Sequence, residues 1–116
     1  MTIQELIDSE IFTLVNAGDD TDAPISQPFC CDLLSIAMSR APEKCAWVTV
    51  MANMNTLAVS TLTDCGCIIL AEGTAFDAAT NAKAAMQGIT VFTTPMPVFD
   101  AALAVWQHLE AEKGEL

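Results

Sequence analysis

The 116 residues are 53% apolar and only 16% charged, with four Lys and Arg against fifteen Asp and Glu for a formal net charge of −11. That length suits one domain, and the apolar fraction fills a core and excludes a disordered acidic chain. The scattered cations Arg40, Lys44, Lys83 and Lys113 cannot assemble the clustered positive footprint that nucleic acids or anionic membranes require.

No stretch is long and apolar enough to span a bilayer, and residues 1–15 lack a basic leader region, so a cytoplasmic protein is expected. So apolar a chain leaves apolar surface uncovered, and pairing with a second copy is the simplest remedy. In chain order, Thr2-x-x-Glu5 reads as a capping box that opens a helix with Ile3, Leu6 and Ile7 at helical spacing. A strand from Phe12 to Asn16 is expected next, followed by a polar surface loop, Ala17 to Pro24.

Residues Ile25 to Cys31 read as extended, and Asp32 as the N-cap of a helix through Arg40. Leu33, Leu34, Ile36, Ala37 and Met38 make that helix apolar on most faces, which predicts burial on more than one side before Ala41-Pro42 ends it. Trp47–Val50 is β-rich, and Met54, Leu57, Ala58 and Leu62 form a helical stripe. Cys67–Leu70 reads as a buried strand, Asp77–Met86 as a helix closed by Gly88, and Ile89–Thr93 as another strand. After Pro95 and Pro97 a last helix runs to about Glu110 with Val98, Ala101, Ala102, Val105 and Leu109 inward. Strands alternating with helices in this way predict an α/β fold of three layers, α/β/α, on a mostly parallel sheet of about five strands. One domain over residues 1–110 and a short tail, 111–116, are expected.

The residues that carry chemistry are few. Cys30, Cys31, Cys45, Cys65 and Cys67 are odd in number and nowhere spaced C-x-x-C, so reduced thiols are expected. Cys30, Cys31, Cys65 and Cys67, with Cys45, form the only candidate metal or iron–sulfur set, although neighbouring strand residues point to opposite faces. His108, the single histidine, has no Ser or Cys beside it in sequence. Asp19, Asp20 and Asp22 have the charge of a calcium loop without its spacing or distal Glu. No phosphate-cradling glycine motif is present. In a parallel sheet ligands bind beyond the carboxyl ends of the strands, which points to Asn53 and Asn55, to Glu72 and Gly73, and to Thr94. The same residues suit plain capping and turns.

The segments Cys31–Met38, Ala46–Val50, Asn55-x-Leu-Ala-Val59, Cys67–Gly73 and Gly88–Thr94 together resemble a DRTGG domain over Thr2 to Leu109. The pattern is similar to small stand-alone DRTGG proteins of anaerobic bacteria, some encoded beside iron-only hydrogenase genes. The resemblance implies a fold like the N-terminal domain of HPr kinase and a regulatory or dimerising role, with no catalytic residues and no kinase phosphate loop. The family's Asp-Arg pair falls near Asn53-Met54, where both charges are gone.

The expected function is therefore that of a non-catalytic regulatory or accessory module without a cofactor. It would form a homodimer, take a small neutral or cationic metabolite, reject polyphosphates, and serve a signalling protein or a redox enzyme. The alternative is an iron–sulfur or metal-binding accessory of a hydrogenase or another redox enzyme.

Overall fold

A computed structural model describes residues 1–114, leaving Glu115 and Leu116 of the expected tail outside the described residues. Helix α1 (Ile3–Ser9) starts as its sequence dictates. Thr2 Oγ1 accepts from the Glu5 N–H at 3.1 Å, and Glu5 Oε1 accepts from the Thr2 N–H at 3.0 Å, so two amides that the helix leaves unpaired are satisfied. Then follow β1 (Thr13–Asn16), β2 (Pro28–Cys30), α2 (Leu34–Arg40), β3 (Ala46–Thr49), α3 (Met54–Thr63), β4 (Cys67–Leu70), α4 (Ala78–Met86), β5 (Val91–Thr93) and α5 (Val98–Glu112). The last helix thus reaches into the stretch expected as a tail, and the Met1 ammonium pairs with Glu112.

The strands form one five-stranded sheet in the order β1-β5-β4-β3-β2, with β1 antiparallel to β5 and all other pairs parallel. From β2 to β5 the chain steps one strand at a time in one direction. Crossovers of one hand then place α2, α3 and α4 on the same face. That face holds Trp47, Leu57, Val59, Ile68, Leu70, Ala84 and Val91. The other face is covered by α1 and α5 through Ile3, Leu6, Ala101, Val105 and Leu109, which meet Val48, Ile69 and Phe92. This is the expected three-layer α/β/α architecture. Every residue of β3 and β4 is buried, as strands covered on both sides must be. No helix of the described residues is long and apolar enough to cross a membrane.

Three local expectations need correction. Phe12 is outside β1 and packs edge-on against Phe92 with ring centroids 6.1 Å apart. In α2 only Ala37 is buried, while the N-cap Leu33 and Met38 are 56% and 51% exposed, because nothing among the described residues lies on the helix's outer side. In α3 the inward residues are Thr56, Leu57, Val59 and Ser60, and Met54, Ala58 and Leu62 point out. Half of α3 is polar and its apolar residues fall on no single stripe, so its neighbours set its rotation. The buried hydroxyl of Thr56 is accommodated by donating to Met51 O at 2.6 Å.

Residues 16–19 close one corner of the sheet. Asn16 Nδ2 donates to Ile89 O at 2.8 Å, the Gly18 N–H to Thr90 Oγ1 at 2.9 Å and the Asp19 N–H to Gly88 O at 3.1 Å. A Cβ on Gly18 would meet the Gly88 carbonyl oxygen at 2.2 Å, and that oxygen is backbone and cannot swing away. Gly18→Ala is expected to destabilise the fold by about 3 kcal/mol, read as a lowered urea midpoint with an unchanged slope.

Candidate functional site

At the carboxyl ends of the parallel strands, the polar side chains form structural links between loops. Asp32 does not cap α2, whose N-cap is Leu33 with no side-chain bond. Its Oδ1 instead accepts from Thr49 Oγ1 at 2.8 Å and from the Val50 N–H at 3.0 Å, tying the loop after β2 to the end of β3. Trp47 adds a second tie, its indole N–H donating to Cys31 O at 3.0 Å. Asn53 caps α3, with Oδ1 accepting from the Asn55 N–H at 2.9 Å, and the Asn55 side chain is exposed.

Glu72 and Gly73 both have positive φ, +59° and +74°, which turns their N–H groups toward the loop after β5. They donate to Met96 O at 2.9 Å and Thr94 O at 3.0 Å. Helix α5 has Pro97 as its N-cap, which supplies no side-chain bond, and Glu72 Oε2 accepts from the Val98 N–H at 3.3 Å. Thr94 is buried and its hydroxyl accepts from the Met96 N–H at 3.2 Å.

Of the five residues expected at this end, Gly73 and Thr94 are therefore joined directly, and the adjacent Glu72 bonds to Met96 and Val98 just beyond Thr94. Asn53 and Asn55 stand at the start of α3, with no hydrogen bond to those three among the described residues. The single-direction strand order lacks a reversal between parallel strands, so the crevice that usually opens at such a reversal has no topological cause here. Sequence reasoning missed Asp32 as a link between loops. It also missed Lys83, whose Nζ lies 3.7 Å from Met54 Sδ in the first turn of α3.

A polar recess lies at the opposite, amino-terminal end of the strands. Its volume is about 190 Å³, and Lys44, Asp64, Cys65, Gly66 and Thr90 contribute to its walls. Lys44 Nζ sits 3.3 Å from Asp20 and 3.2 Å from Asp64, and those two carboxylates hold its ammonium in the charged form by raising its pKa. With two carboxylates on one cation, this recess does not invite an anion. A second, apolar groove of about 300 Å³ runs between β2 and α5, lined by Pro28, Cys30, Phe99, Ala102, Leu103 and Trp106.

The strand register divides the cysteines. Cys30 is level with Val48, whereas Cys67 is level with Ala46, two strands away from β2 and two residues lower. At about 4.8 Å per strand and 3.3 Å per residue, this separates the two groups by on the order of 10 Å. Among the described residues no three His, Cys, Asp or Glu side chains converge on a point that could hold a metal. His108 is exposed, with Nδ1 3.1 Å from Ala104 O.

No family model matches the chain, and no curated protein matches it. Among solved structures, it is similar to the CBS and DRTGG domains of the regulatory region of Clostridium perfringens pyrophosphatase, crystallised with its activator diadenosine tetraphosphate. The TM-score is 0.74 at 15% identity, over 91% of this chain and 46% of that one. The likeness is one of fold. The chain forms a DRTGG-like α/β domain and spans less than half of that neighbour.

The links at the carboxyl end predict a graded response to substitution. Asp32→Ala removes two hydrogen bonds and leaves the buried Thr49 hydroxyl without its acceptor, at a cost of about 2 kcal/mol. Glu72→Ala removes only the outside cap of α5, at about 1 kcal/mol. Urea unfolding of the two variants beside the parent checks the order.

Proposed function

We propose that this domain is a non-catalytic regulatory module that works by pairing with a second copy of itself. The observation that carries this reading is the apolar flank at the β2 end of the sheet. On α5, Phe99 is 70% and Trp106 44% exposed, and with Leu103 they form one ridge at i, i+4 and i+7 beside Pro28 and Cys30. On the other face of the same end, α2 leaves Leu33, Ile36 and Met38 exposed. Aromatic groups in a shallow groove, free of charge, have the composition of an interface core rather than of an ordinary surface. A two-fold pairing would bury the ridge of each copy in the groove of the other. The neighbouring fold supports the regulatory part of the reading, since the pyrophosphatase domains that share it belong to a regulatory region.

Any small molecule the module senses is proposed to contact the carboxyl end through Asn53, Asn55, Glu72, Gly73 and Thr94. The Asn55 amide is exposed there, and the surface above Gly73 is open, with no atom within 4 Å of the position a Cβ would take. The ligand would be neutral or cationic. The pyrophosphatase region was crystallised with a tetraphosphate activator, but here the net charge is −11, and Lys83 is the cation placed beside the first turn of α3. One lysine and a helix end, each contributing about 1 kcal/mol, do not offset the desolvation of several phosphates in a negative field.

Light scattering is expected to give a dimer mass at tens of micromolar, with Trp106→Glu and Phe99→Glu shifting it to a monomer while the helical circular dichroism is retained. A parent protein that is monomeric at that concentration overturns the pairing. Diadenosine tetraphosphate at millimolar concentration and physiological salt is expected to leave the thermal midpoint unchanged, and a rise of several degrees overturns the charge argument.

A further inference from the structure

The polar recess at the amino-terminal end holds chemistry that the pairing surface does not use. Gly66 separates Cys65 from Cys67, and its missing side chain matters, because a Cβ there would meet Lys44 O at 2.9 Å. The starts of β3 and β4 therefore approach closely, and the Gly66 N–H donates to Cys45 O at 2.8 Å. This brings Cys45 and Cys65, twenty positions apart in sequence, to a sulfur–sulfur distance of 3.5 Å. The two thiols are not equivalent. Cys45 is fully buried, whereas Cys65 is partly exposed and forms part of the recess wall. Cys65 also has a hydroxyl partner, Thr63 Oγ1 at 3.1 Å.

We infer that Cys65 and Cys45 form a peroxide-reactive thiol pair, in which Cys65 is the nucleophile facing the recess and Cys45 the resolving thiol behind it. Cys65 as thiolate attacks one oxygen of hydrogen peroxide. The O–O bond breaks, the Cys65 sulfur becomes a sulfenic acid, and the departing oxygen leaves as water after taking up a proton. Cys45 then loses its thiol proton and attacks the Cys65 sulfur. The S–O bond breaks, a second water leaves, and a Cys45–Cys65 disulfide forms. Two thiols and one peroxide thus give one disulfide and two waters. The two electrons come from the sulfurs, and peroxide is the oxidant. The sulfurs must close from 3.5 Å to a bond of about 2.05 Å.

The surroundings fit these roles. The hydrogen bond from Cys45, with the Thr63 and Ser60 hydroxyls, lowers the Cys65 pKa to about 7 against the opposing effects of burial and Asp64. Cys45 is pushed up by that same hydrogen bond and by burial, so it waits as a thiol. Burial pushes up the wholly enclosed Cys67, and burial with the Asp32 charge raises Cys30. Peroxide is small enough for a recess of about 190 Å³.

The test uses the intact protein and does not depend on its pairing. Reduced, folded protein is given a few equivalents of hydrogen peroxide at pH 7, alkylated under denaturing conditions and mapped by mass spectrometry. The five thiols are expected to fall to three, with Cys30, Cys31 and Cys67 still alkylated and the peptides of Cys45 and Cys65 joined. In Cys45→Ser the Cys65 sulfenic acid is expected to persist and be trapped by dimedone. The hydrogen bonds to Cys65 from Cys45 and Thr63 favour its thiolate, so Cys65 in the folded parent is expected to react severalfold faster than in urea-unfolded protein. That ratio is read on the parent alone, so it stands even where the variant fails to fold. Oxidation that begins at the exposed Cys30, or a Cys45–Cys65 linkage no more frequent in folded than in unfolded protein, overturns the inference.

Discussion

From β2 to β5 the chain advances one strand at a time across the sheet, always in the same direction and through crossovers of the same hand. That constraint places all three crossover helices on one face and leaves the other bare. The two helices outside the crossovers must cover it, and they do so unequally. Helix α1 is short and held by its capping box, whereas α5 is the longest helix and lies across β2 and β3. Because α5 alone spans that side, its outer ridge has no further layer over it, and Phe99 and Trp106 remain at the surface. The apolar flank is thus a consequence of topology and not an accident of composition.

The same monotonic order explains the character of the two sheet ends. In doubly wound folds a reversal of strand order opens a crevice at the carboxyl end. Without one, Asp32 and Glu72 link adjacent loops and Asn53 caps its own helix, each accepting backbone or hydroxyl protons. At the amino-terminal end, Gly66 and Gly18 let backbones come closer than any side chain would allow. Close approach there leaves a walled recess where the other end has stitched loops.

What could be read from the sequence follows the range of the interactions. The capping box at Thr2 and the left-handed Gly88 depend on residues a few positions apart, so they were legible. Strand Cys67–Leu70 was legible because a continuous apolar run fits a sheet covered on both sides. Asp32 was misassigned because an acid before an apolar helix looks like a cap, while its actual partners, Thr49 and Val50, lie a whole helix away in sequence. The rotation of α3 was not legible because its five apolar residues are spread round the helix and form no single stripe. Of the expected site, Asn53 was found at the right helix start and Glu72 and Thr94 beside each other, but nothing local to Glu72 announced that it would cap α5. The contact between Cys45 and Cys65 had one sequence signal, the glycine between two cysteines, and its meaning depended on knowing which strands were neighbours.

Pro28 has a further effect on how copies of this chain can associate. Gln27 O accepts from the Ala46 N–H and the Cys31 N–H donates to Val48 O, so within β2 the backbone of Phe29 faces β3 while Pro28 and Cys30 face outward. In a strand of three residues, one of the two outward positions therefore offers no donor. A foreign strand laid along that rim would find a broken ladder. Contact at this flank is steered from backbone to side chains, from sheet extension to helix packing. Sheet extension can repeat without end into a filament, whereas two ridges locked around a two-fold axis leave nothing for a third chain to join.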